Sequence, residues 1–240
     1  MPTAPPVKEI YRRLYVRFGA QYWWPATPLT RGGEARPSRH GGTRRPAAPF
    51  EVMVGAILTQ NTNWGNVERA IVHLKKAGQL SPRKLKEISP PRLARLIKPA
   101  GYFNVKAKRL KNFVDFLYSE YGGDLEKMAG EPLAAVREKL LNVNGIGPET
   151  ADSILLYALN KSVFVIDAYT KRFLSRHNWA RREDGYDAVQ KLFMDGLRSD
   201  VRRFNEYHAL IVRLGKDFCR TNPRCESCPL NDLGTISIHR

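Results

Sequence analysis

Apolar residues recur at helical spacing along most of the chain. Ile10, Leu14 and Phe18, with Tyr11 and Tyr15 beside them, mark a helix over 7–18. Residues 50–59 are almost wholly apolar and do not alternate, which predicts a buried helix rather than a strand. The same spacing predicts helices over 66–77, 81–88, 90–97, 105–121, 125–128, 132–141, 148–159, 166–177, 186–196 and 201–218. Ser81-Pro82 and Ser89-Pro90 place a capping residue before a first-turn proline, and Glu131-Pro132 resembles them. Gly78, Gly101 and Gly122-Gly123 punctuate helix ends. The β-branched run 162–166 lies between two helical patterns and has no partner strand. The predicted fold is all-α.

Composition narrows the class. With 42% hydrophobic and 26% charged residues the chain is globular. Lys and Arg number 40 against 23 Asp and Glu, a formal charge of +17 that favours a polyanionic partner through counterion release. No apolar run approaches the ~20 residues that span a bilayer, and the Pro-rich start, Met1 to Lys8, lacks the apolar core of a signal peptide. The expectation is a cytoplasmic, nucleoid-associated monomer with no membrane contact. Residues 26–49 are dense in Gly, Pro, Arg and Ser; the Arg31–Arg45 stretch has no assigned role.

The densest chemical signal is Asn144-Gly145-Ile146-Gly147-Pro148-Glu149-Thr150. One helix ends near Leu141, two glycines flank an isoleucine, and Pro148 opens the next helix. Amides pointing out of such a turn cradle an anion, and a DNA phosphate fits. Alone, the segment also reads as a simple helix–turn–helix connector. Downstream, the apolar run Val163-Phe164-Val165-Ile166 ends at Asp167, which reads equally as an N-cap.

Together, Asn144-Gly145-Ile146-Gly147 through Asp167-Ala168-Tyr169 resemble the helix-hairpin-helix, Gly/Pro-rich loop and aspartate signature of the endonuclease III superfamily of DNA glycosylases (HhH-GPD). Ile57-Leu58-Thr59-Gln60-Asn61-Thr62 resembles that family's Leu-Ser/Thr-x-Gln region, and the stretch 98–108, with Asn104 and Lys106, resembles a third family segment. The matches run in order over 7–230. The resemblance implies two helical subdomains with a DNA-binding cleft between them. Its expected organisation is an N-terminal helix, Trp pair and Arg-rich loop (1–49), a helical bundle ending in the hairpin (50–160), a second helical part packing with the N-terminal segment (161–218) and a cysteine loop (219–240).

The resemblance also implies the site. Asp167 would stabilise the oxocarbenium-like sugar and guide the attacking water. Gln60 would enter the duplex as the base is extruded, with Asn61 beside it at the DNA. Gly145, Ile146, Gly147, Thr150, Asn104 and Lys106 would hold DNA. Bifunctional relatives carry a lysine where this chain has Glu149. A carboxylate cannot form the Schiff base of a lyase, so hydrolysis by water, without a cofactor, is expected. Trp23-Trp24-Pro25 and Gln60-Asn61-Thr62-Asn63-Trp64 resemble most the 3-methyladenine-excising branch, in which an aromatic pair sandwiches the flipped base. Trp23, Trp24 and Trp64 are the matching residues, with Glu149 facing the lesion. Cationic N-methylated purines suit indole faces, although the Trp pair also reads as plain core packing.

Cys219, Cys225 and Cys228 are clustered, which is unlike a disulfide framework. They resemble the family's C-terminal [4Fe–4S] loop, but the first interval is one residue short and the fourth place is Gly234. A degenerate cluster, another metal such as zinc, or a substitute ligand such as His239 all remain open. Arg213, Lys216, Arg220 and Arg224 around the loop would add to a phosphate-binding face. Two other readings stay beside the main one: a non-catalytic hairpin DNA-binding module, and a glycosylase for mismatched thymine or uracil, hypoxanthine or an oxidised base, with or without lyase activity.

Overall fold

The computed structural model describes residues 3–24, 26–27 and 48–234. Pro25, the Arg31–Arg45 stretch and His239 lie outside the described residues. Twelve α-helices and no strand are found among the described residues. The chain divides into two compact units, Trp24–Lys161 and Met1–Trp23 with Ser162–Arg240.

The Trp24–Lys161 unit holds eight α-helices: α2 (Pro49–Leu58), α3 (Trp64–Lys76), α4 (Pro82–Glu87), α5 (Pro90–Leu96), α6 (Phe103–Tyr121), α7 (Leu125–Gly130), α8 (Leu133–Leu141) and α9 (Pro148–Ser153). Helix α2 buries every residue from Phe50 to Leu58, so an almost wholly apolar sequence without alternation is what its position requires. Its one carboxylate, Glu51, is compensated by Lys75 at 2.8 Å and by the Thr27 amide at 2.8 Å. Gly55 lets the Trp24 ring lie directly on α2, since a Cβ there would stand 3.0 Å from the indole.

Helix α9 does not run on to Leu159 as an α-helix, as the pattern predicts. It widens into one π turn over Ile154–Ala158, closed by the Leu159 amide on the Ile154 carbonyl at 3.1 Å. All five side chains of that turn are buried. An uninterrupted apolar run carries no mark separating a π turn from an α turn, so the sequence is silent on the change.

The other unit holds α1 (Val7–Phe18), α10 (Ala168–Arg176), α11 (Tyr186–Gly196) and α12 (Val201–Asp217). Phe164 stacks on Phe193 with ring centroids 4.1 Å apart, and Phe204 and Tyr207 meet Phe164 edge-on. The fully buried Tyr207 hydroxyl donates to the Val7 carbonyl at 2.9 Å, fastening α12 to α1. The β-branched run before Asp167 pairs with no strand among the described residues. Instead the Ile166 amide donates to the Tyr186 hydroxyl at 3.2 Å, and Gln190 donates to the Phe164 carbonyl at 2.6 Å.

Candidate active site

The hairpin follows from its glycines. Gly145 has φ +98°, a left-handed value that side chains resist, and a Cβ there would run into the Arg109 side chain. Ile146 is buried, with its amide on the Val143 carbonyl at 3.0 Å, and pins the turn between α8 and α9. Gly147 is exposed, and the space around it is open. Among the described residues, neither Gly145 nor Gly147 donates its amide to another main-chain oxygen. The turn therefore offers donors beside the first turn of α9, a geometry suited to an anion.

Gln60 braces this turn. Its Nε2 donates to the Gly145 carbonyl at 3.0 Å and to Thr150 Oγ1 at 2.9 Å, while Arg109 donates to its Oε1. Both ends of the Gln60 amide are thus engaged within the unit. Thr150, expected at the DNA, is instead buried behind the hairpin as an acceptor for Gln60. Next to Gln60, Asn61 is exposed with φ +53°, a conformation that asparagine tolerates. Asn104 is exposed in the first turn of α6.

Lys106 corrects the expectation of a DNA contact. Its side chain is 1% exposed, and Nζ donates to the carbonyls of Leu58 at 2.9 Å and Ala100 at 2.7 Å. The amine thus terminates α2 from inside the core, and burial pushes its pKa down to about 8. A lysine within a turn motif gives no sign of which neighbour its long side chain will reach.

The place of Trp24 in an aromatic sandwich is also corrected. Trp24 is buried and meets Trp64 edge-on, with centroids 5.1 Å apart and planes at 84°; it also packs against Tyr157 of the π turn. Two perpendicular rings in contact leave no parallel slot for a base, so Trp24 belongs to the core. Trp64 is half-buried at the start of α3. Trp23, in the other unit, has the Lys216 ammonium 5.9 Å from its ring centroid. Glu149 is exposed in the first turn of α9.

Asp167 caps α10. Its Oδ1 accepts the Thr170 amide at 2.7 Å and the Thr170 hydroxyl at 2.8 Å, while Oδ2 lies 3.5 Å from His208 Nε2. Burial pushes the carboxyl up, but His208 and the Thr170 donors outweigh it and hold the group below the usual carboxylate range. The N-cap reading of Asp167 and the catalytic one are therefore compatible. A desolvated, oriented anion at a helix N-terminus can stabilise positive charge that develops nearby. His208 and Arg109 were not singled out from sequence. His208 carried one faint signal, a polar residue on the apolar face of α12 between Phe204 and Ile211.

Within the same unit, a groove of about 610 Å³ is lined by Tyr169, Arg172, Lys216, Arg220 and Arg224 among others. Arg172 lies over the Tyr169 ring and donates to the Cys219 carbonyl at 2.7 Å. This concentration of cations beside α10 suits a polyphosphate backbone. Among the described residues no helix is long and apolar enough to cross a membrane.

The three cysteines line one cavity of about 20 Å³ together with His177. They do not fit a four-thiolate cluster. At the fourth place, Gly234 has φ +70°, and a Cβ would crowd the Trp179 ring at 3.1 Å, so a ligand side chain there would be strained. Arg176 donates to Cys219 Sγ at 3.3 Å, which engages one of the three thiols. Among the described residues, no three His, Cys, Asp or Glu side chains are grouped to hold a metal ion.

Comparison with known proteins agrees with this fold. A candidate DNA repair glycosylase of Methanocaldococcus jannaschii is 43% identical over 229 residues, 95% of this chain and 94% of its own length. Endonuclease III of Thermotoga maritima is 28% identical over 188 residues, covering 77% of this chain and 81% of its own. Among solved structures, the 3-methyladenine DNA glycosylase of H. pylori superposes with a TM-score of 0.70 at 26% identity, covering 88% of this chain and 97% of that one. A trapped endonuclease III–DNA intermediate shares the fold, with a TM-score of 0.75 at 19% identity over 96% and 94% of the two chains. Residues 54–199 match the HhH-GPD superfamily of base excision DNA repair proteins, and the chain belongs to that helix-hairpin-helix, endonuclease III-like family.

Proposed function

We propose that this protein is a monofunctional DNA glycosylase that extrudes an alkylated purine of the 3-methyladenine type from duplex DNA and hydrolyses its N-glycosidic bond. The observation that carries the reading is Asp167: a carboxylate oriented by Thr170, flanked by His208, and held ionised. As the bond to the base breaks, the bonding pair leaves with the purine and positive charge builds on the sugar. A purine methylated at N3 is already cationic, so it departs neutral and needs no strong general acid. Asp167 stabilises the developing charge and takes a proton from the water that adds to the sugar carbon.

Three features support the finer points. The first turn of α9 presents the carboxylate of Glu149, where a lyase of the resembled family would carry an amine. Two lysines near the motifs in sequence are committed elsewhere, Lys161 to the Ala129 and Glu131 carbonyls and Lys171 to the Asp184 carbonyl. The H. pylori relative is named as a 3-methyladenine enzyme and was solved with 1,N6-ethenoadenine. Exposed Asn61, with Gln60 behind it, enters the space left by the base. Gly145, Gly147 and Asn104 hold phosphates, as does the Arg/Lys groove along α10, and Trp64 and Glu149 face the lesion. The protein acts as a monomer and without a cofactor.

The test is a panel of duplexes carrying 3-methyladenine, 1,N6-ethenoadenine, hypoxanthine, uracil or mismatched thymine, with released base measured by chromatography and borohydride present in a parallel set. Release of alkylated adenine without a trapped covalent adduct is expected. Excision of a mismatched pyrimidine alone would overturn the substrate, an adduct would overturn the monofunctional step, and binding without release of any base would leave only a DNA-binding module.

A further inference from the structure

We propose that His208 is a positioning residue for Asp167, setting the plane of its carboxylate so that Oδ2 is held ready for the transition state. This rests on the catalytic reading of Asp167. Helix α12 buries Phe204, Tyr207, Leu210, Ile211 and Leu214 almost completely, and His208, 7% exposed, stands within that apolar surface. An imidazole buried there must be compensated by a polar partner. Asp167 lies opposite, with its side chain 11% exposed and its Oδ2 3.5 Å from His208 Nε2.

The division of labour between the two oxygens gives the pair its meaning. Oδ1 takes both Thr170 donors and is fixed by the cap of α10. Those bonds locate one oxygen but leave rotation about the carboxylate axis, along which Oδ2 would swing. His208, reaching from a different helix, supplies the second point that stops this rotation. A carboxylate already oriented when positive charge develops avoids reorganising during the reaction, which is where preorganised electrostatic stabilisation has its value. The contact is long range, 41 positions apart in sequence, and couples α12 directly to the site.

Replacement at position 208 by Gln, Asn and Leu separates positioning from packing. The Gln amide nitrogen reaches where Nε2 stands; that of Asn stops near the position of Nδ1. Single-turnover base release is measured on an alkylated-adenine duplex, and affinity on a duplex with a tetrahydrofuran abasic analogue. For His208→Asn and His208→Leu, release slows roughly 10- to 100-fold while affinity stays within about threefold; His208→Gln keeps release within about threefold of the parent. Asn and Gln variants equally active or equally impaired, or rate and affinity falling together, would overturn the proposal. Should the Leu variant melt below the assay temperature, the Asn–Gln contrast decides alone. Asp167→Asn is assayed alongside. Retained release in that variant means the catalytic reading itself has failed, whereas its loss together with an unimpaired His208→Asn defeats only the positioning role.

Discussion

Gln60 Nε2 and the Gly145 carbonyl are joined across 3.0 Å, which makes the turn after α2 a support of the hairpin 85 residues later. Replacing Gln60 by Ala removes that bond and the one to Thr150 and leaves Arg109 without its acceptor. At about 1 kcal/mol for each lost bond, thermal unfolding should fall by several degrees. Duplex affinity, read by fluorescence anisotropy, should weaken along with it. An unchanged melting temperature would show that the brace carries no stability.

The two hairpin glycines should respond differently. Gly145→Ala places a side chain in a left-handed backbone and against Arg109, so a stability loss of about 1–2 kcal/mol or more is expected. Gly147→Ala meets open space and should melt within about 1 °C of the parent. Its methyl group nevertheless stands where a phosphate would approach, and a drop in duplex affinity of roughly tenfold is expected. Calorimetry paired with a binding titration checks both.

Lys106→Met tests whether a buried amine serves the core or the DNA. The carbonyls of Leu58 and Ala100 lose their donor, at a cost of about 1–3 kcal/mol. Affinity and its salt dependence should be unchanged, because no phosphate contact is removed. The sign with pH follows from the folded amine titrating at about 8, below its ordinary 10.5. Between these values the unfolded chain binds more protons, so the parent should gain stability as pH rises from about 8 toward 10.5, and the Met variant should lose that component.

Asp167→Asn keeps an acceptor for the Thr170 amide and should change the melting temperature by no more than about 2 °C. Base release should nevertheless fall by roughly 100-fold or more. In the parent, the folded carboxyl titrates below the ordinary 3.8. Its stabilising contribution is therefore complete above 3.8 and disappears as pH falls through the lower folded value. Acid titration of the two proteins, followed by circular dichroism, should show this component only in the parent.

The cysteine loop should fold without iron. Cys225→Ser and Cys228→Ser, singly and together, should melt within about 2 °C of the parent, as expected of thiols that hold no cluster. Iron and acid-labile sulfide in the anaerobically purified parent should stay well below one equivalent per chain. Stoichiometric iron with visible absorption would refute the mismatch at Gly234 and Trp179.

Periodicity, caps and glycines along the chain were enough to specify helices and the hairpin, because those features depend on neighbours three or four residues away. Ile146 as the pin, Asp167 at the start of α10 and the prolines opening α4 and α5 were all legible for that reason. The endings of the same elements were less so: 148–159 reads as one helix, yet its second half is a π turn. What only the tertiary structure decided is where long side chains go. Lys106 turns into the core, Gln60 toward Gly145, Trp24 onto Gly55, and His208 toward Asp167. Each of these depends on a partner 31 or more residues distant, or, for Lys106, on the convergence of two carbonyls. Local pattern carries no record of such meetings, because burial and charge compensation are settled only when the helices pack.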